Sequence, residues 1–191
     1  MSIMSCSLLS LGCVFAYVSP ADSTMTALRA LKIAQRRLRP EVRSELLSMA
    51  SARTDATFTP EAWRVVFLDQ ATVGHCRVVT VASRASSEHP ETVEAFSAIK
   101  SENVPSLQVI PQIKLLFDSN QALAQVRRAS NLTDCLSAEY RLHQSLRGRG
   151  PVWSLSFYGK APEPMATFHV GAKTGVTTAV AIHQQGTVKL C

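Results

Sequence analysis

At 191 residues, with 46% hydrophobic and 18% charged side chains, the chain has the composition of a folded protein and not of a disordered one. That length allows one sizeable core or two small ones. The formal net charge of +6 favours acidic partners, but with 6% aromatic residues and no nucleic-acid motif, no nucleic acid is expected among them.

Residues 1–21 carry no charged side chain, and Ile3 to Val18 is apolar apart from Ser, Gly and Cys. The stretch is too short and too interrupted for a comfortable membrane span, which needs about 20 apolar residues. A secretory signal peptide is expected, ending near Ser19-Pro20-Ala21, although the usual basic start is missing and Pro20 adjoins the cut. Two alternatives stay open. Ser10-Leu11-Gly12-Cys13 resembles a lipobox with Ser10 in place of Leu, which gives a lipid-anchored form, and the segment can also be interfacial or buried. The expected location is periplasmic or secreted, with membrane contact through residues 1–21 only.

Asp22-Ser23-Thr24 offers an N-cap, and Leu28, Leu31, Ile33, Ala34 and Leu38 follow at helical spacing. Beyond Pro40, Val42, Leu46 and Met49 predict a second short helix over 41–52. Arg29, Lys32, Arg36, Arg37, Arg39 and Arg43 make this region basic, read first as a solvated helix face and second as a docking surface for acidic lipid or protein. Strands are expected over Trp63–Phe67 and Cys76–Ala82, a short helix after Pro90 carrying Val93, Phe96 and Ile99, and an edge strand from Leu107 to Phe117 interrupted by Pro111. Asp118-Ser119-Asn120 caps another helix, and 139–146 predicts one more helical turn.

The clearest stretch follows. Trp153, Leu155 and Phe157 alternate with Ser154 and Ser156, and Ala166, Phe168, Val170 and Ala172 alternate with Thr167, His169 and Gly171. Lys173-Thr174-Gly175 is a turn before the β-branched run Val176-Thr177-Thr178. Leu28 and Leu123, like Trp63 and Trp153, stand about 90–95 residues apart, which predicts a duplicated helix-then-sheet unit.

A helix opening on Ala-Leu, then Trp-x-aliphatic-x-Phe, then a strand ending in Ala172-Lys173-Thr174-Gly175-Val176, resembles the PepSY domain. Gly171 stands where that family has Asp, one residue is missing between Gly175 and Val176, and Ala82-Ser83-Arg84 replaces the turn in the first copy. The resemblance implies an α+β fold with a helix packed on a small antiparallel sheet, here duplicated, in a PepSY/cystatin-like layout. The units are 22–100 and 101–191, after the leader 1–21. It further implies an exported, non-catalytic binding or inhibitory module that restrains a peptidase or engages an envelope protein. It supplies no catalytic residues and no cofactor.

The residues themselves show little convergent chemistry. None of Cys6, Cys13, Cys76, Cys135 and Cys191 forms a C-x-x-C pair. His75 and Cys76 are strand neighbours that point apart, and Cys76 reads as a small core residue. His89, His143 and His183 lack metal-ligand spacing, so no metal site is expected. Glu88, Glu91 and Glu163 read as loop charges. The candidate binding surface is Trp153, Tyr158, His169 and Lys173, although both tryptophans read first as core anchors. The alternatives are a small-molecule carrier with a helix/sheet pocket lined by Trp153 and Phe168, a hydrolase with scattered catalytic groups, and an envelope structural protein that exposes an apolar patch or pairs through Cys191.

Overall fold

The computed structural model describes residues 25–82, 99–103, 108–145 and 150–182. Helix α1 (Ala27–Arg36) and the one-turn α2 (Pro40–Arg43) are followed by strands β1 (Leu46–Ser51), β2 (Ala62–Leu68), β3 (His75–Ala82) and β4 (Ile99–Asn103). A 3-10 turn (Gln112–Lys114) leads to α3 (Ser119–Ala129), then β5 (Ser137–Gln144), β6 (Pro151–Tyr158), β7 (Pro164–Gly171) and β8 (Thr177–Ile182).

Among the described residues, the eight strands form one antiparallel sheet in the order β4-β3-β2-β1-β5-β6-β7-β8. The order is symmetric about the central β1–β5 pair, where Met49 faces Leu142 and Ala50 faces Arg141. Each half is thus a helix followed by a meander running outward from the middle. Both long helices cover the same side of the sheet, where Trp63, Val65, Phe67, Tyr140, Leu142, Trp153, Leu155, Phe157 and Phe168 form one continuous core with Ala27, Ala30, Leu31, Ala34, Ala122 and Val126.

This corrects the expected layout of a helix on a small antiparallel sheet. The molecule is dominated by a single broad sheet, and its helices are short. The misreading has a local cause at the two central strands. Leu46, Leu47 and Met49, whose spacing also suits a helix, lie in β1, and a register shift between Leu46 and Ser48 breaks their alternation. Residues 139–146, expected as a helical turn, fall largely in β5, where buried Ala138, Tyr140 and Leu142 alternate with Glu139, Arg141 and His143. Once both stretches are strands, the two meanders join.

The expected edge strand at 107–117 is also corrected. Ile110 and Leu115 are buried while Ile113 and Leu116 are exposed, which is not a period of two, and Pro111 leads into the 3-10 turn. The helix expected after Pro90 lies outside the described residues, except that its Ile99 falls in β4. The leader at 1–21 and Cys191 lie outside them too.

Candidate functional site

The two faces of the sheet differ. On the face away from the helices, the first half presents Leu47, Val66, Cys76 and Val78, all buried, with Leu68 and Val109 packed against them. The second half presents polar side chains on the same face: Glu139, Arg141 and His143 from β5, Ser154 and Ser156 from β6, Thr167 and His169 from β7, and Thr178 from β8. Ser156 and Thr167 hydroxyls meet at 3.2 Å across β6 and β7. At one end, the Arg53 guanidinium lies 4.0 Å over the Tyr158 ring and donates to the Ser137 hydroxyl at 2.7 Å. Burial, reinforced by neighbouring Glu139, raises the Tyr158 pKa, so the phenol stays neutral and a donor. At the other end His143 and His169 make a T-shaped contact, ring centroids 6.0 Å apart. The outer side of β8 carries Val180, 53% exposed, just beyond Val176 at 66%.

A second concave feature lies where the two helices begin. Asp118 caps α3 in a capping box with Gln121, and its Oδ1 also accepts from Leu28 N of α1 at 3.0 Å. Ser119 Oγ accepts from Ala27 N at 3.0 Å. A cleft of about 160 Å³ opens beside them, lined by Met25, Phe58, Leu123 and Tyr140 among others. Phe58 has a left-handed backbone (φ 60), and its carbonyl accepts from the Tyr140 hydroxyl at 2.8 Å. The cleft is below the roughly 300–1,000 Å³ of ordinary small-molecule pockets.

A third hollow, about 490 Å³, lies beside the β2–β3 turn and is lined by Arg39, Glu41, Glu45 and Asp69. Asp69 is nearly inaccessible and accepts from Arg77 Nε at 2.9 Å and Arg39 at 3.1 Å. Its remaining capacity goes to Ala71 N, so it ties the turn together.

The residues expected to form a binding surface do not converge. Trp153 is fully buried on the helix side, its Nε1 donating to Phe117 O at 2.8 Å. Tyr158 and His169 share the open face, but His169 lies opposite Ser154, four residues and roughly 13 Å along β6 from Tyr158. Lys173 is exposed in the β7–β8 turn. Of the cysteines, Cys76 and Cys135 are buried free thiols, and burial raises the pKa of Cys135. His143 has no metal-ligand spacing to any other histidine in the sequence, and its pairing with His169 arises only from the strand register of β5, β6 and β7. The strict polar-apolar alternation from Ser137 to His143 was the signal that could have placed it.

Among the described residues no three His, Cys, Asp or Glu converge, and no helix is long and apolar enough to cross a membrane. No family model, curated protein or solved structure matches this chain.

Proposed function

We propose that the chain is an exported, non-catalytic binding module that engages a protein partner, a peptidase or an envelope protein, along β8 and the adjoining polar face of β5–β7. The observation that carries this reading is the position of β8. It ends the sheet, is paired with β7 alone among the described strands, and shows Thr178 and Val180 to solvent. An extended segment of a partner can add there as a further strand, drawing affinity from main-chain hydrogen bonds while the Val180 side chain and the polar ladder give selectivity. The net charge of +6 favours an acidic segment.

The interior supports binding outside it rather than carriage within. Trp153 and Phe168, which a carrier would turn toward its ligand, are fully buried and make ring contacts with Trp63 and Phe157 at 6.1 and 5.9 Å.

The test is photo-crosslinking from position 180 in the producing cell, beside the same probe at exposed Lys32 on α1 as a control. A partner captured at 180, lost when Ala179→Pro removes a β8 donor, supports the reading. Equal capture from Lys32, or capture indifferent to the proline, argues against it.

A further inference from the structure

His143 and His169 belong to β5 and β7, which are separated by β6 and offset by two residues along the strands, so their backbones lie roughly 11–12 Å apart. Their ring centroids are nevertheless 6.0 Å apart, at an interplanar angle of 74°. The rings therefore lean toward one another over β6, where Val152 faces His143 and Ser154 faces His169. His143 Nδ1 lies 3.1 Å from the carbonyl oxygen of Gln144. A carbonyl oxygen only accepts, so Nδ1 carries the proton in that bond, and the neutral ring keeps a bare lone pair on Nε2. Proteins orient metal-binding imidazoles in this way, by tying the non-ligating nitrogen to a backbone carbonyl or a carboxylate.

We propose that His143 and His169 form a two-imidazole site for a divalent transition metal of borderline softness, such as zinc, on the open face of the sheet. Water or a donor from a bound partner fills the remaining positions. The donor set is wrong for calcium or magnesium, which require several oxygens. The carboxylate on this face of β5, Glu139, lies four residues from His143 and is engaged by Arg141 at 3.7 Å. With two protein ligands the site is open, which suits a weak, exchangeable metal more than a structural one. The proposal does not depend on the partner reading above.

Zinc chloride titrated into the full chain at neutral pH should bind one ion per chain. H143Q and H169Q should each weaken binding at least about tenfold, the lower end of what loss of even an outer-shell partner costs. Because His75 is exposed elsewhere, the site must also be located directly. In long-range proton–nitrogen spectra of the unsubstituted chain, zinc should shift Nε2 of both His143 and His169 while His143 Nδ1 stays protonated. Absence of binding at millimolar zinc, an affinity untouched by H143Q, or spectra that place zinc on another imidazole would overturn the site. The spectra need no variant, so a substitution that fails to fold leaves the proposal decidable.

Discussion

Trp63 and Trp153 meet at the centre of the core with ring centroids 6.1 Å apart, and each indole N–H donates at 2.8 Å to a backbone carbonyl just before a helix. Trp63 reaches Met25 O, next to the Thr26 N-cap of α1, and Trp153 reaches Phe117 O, next to the Asp118 N-cap of α3. One residue type therefore fixes the start of each helix to the second strand of its own half, and the two rings join the halves. Replacing either with Phe removes the donor, leaves a carbonyl short of a partner and opens a cavity, for a loss of roughly 2–4 kcal/mol. In urea unfolding the double variant should lose less than the two singles together, by about 0.5–1.5 kcal/mol for the ring contact. Strict additivity would show that the rings do not communicate.

Asp118 serves both helices from one carboxylate, since Oδ1 accepts from Ser119 N and from Leu28 N. Asp118→Ala should therefore cost more than an ordinary cap, roughly 2–3 kcal/mol against about 1. Thr26→Ala, whose bond to Arg29 N is long at 3.4 Å, should fall at or below the ordinary value. Amide exchange separates the roles. In the Asp118 variant Leu28 N–H should exchange faster although it lies far away in sequence, and an unchanged rate there would mean that the second bond contributes nothing to α1.

That contrast shows what was legible in the sequence. The Asp118 cap, the alternation of β6 and β7 and the turn at Gly175 are local, and each could be read from a few neighbouring residues. Leu28's bond to Asp118 has no local signature, nor does the burial of β1 on both sides. A central strand loses the polar alternation that marks a half-exposed one, so Leu46-Leu47-Ser48-Met49 suits a helix equally well until β2 and β5 are known to flank it. The candidate site was hidden by the same error, because His143 meets His169 only once 137–144 is a strand.

Gly175 fixes the β7–β8 turn. Its φ is +70, and a Cβ there would come within 2.5 Å of the Phe117 ring, the residue whose carbonyl holds Trp153. Gly175→Ala combines an αL penalty of roughly 1–2 kcal/mol with overpacking of about 1–3. A loss of about 2–5 kcal/mol is expected in chemical denaturation. In the Phe117→Ala background only the backbone part should remain, so the same substitution should cost about half as much. An equal cost in both backgrounds would remove the ring from the argument.

Acid should destabilise the protein in two separate windows. Burial and the nearby His143 lower the pKa of His169 below its usual 6.5. Arg141 is the next charged group along that face of β5, whereas Ser154 and Thr178, opposite His169 in register, are neutral. Between that value and the lower folded one, the unfolded chain holds more protons, so stability falls as pH drops below about 6.5 and levels off beneath the folded pKa. Asp69 acts further down. Burial alone would raise its pKa, but the Arg77 hydrogen bond, the Ala71 N–H and the charges of Arg77 and Arg39 outweigh that and hold it below 3.8. Its contribution is complete above the unfolded value and disappears as pH falls through the folded one. Urea midpoints should therefore drop first in mildly acidic buffer and again below about pH 4. His169→Gln should remove the first step and spare the second. Asp69→Asn should remove part of the second and also cost roughly 2–4 kcal/mol at neutral pH, discounted because Arg39 is well exposed. A first step that survives His169→Gln would assign the mildly acidic loss to another group.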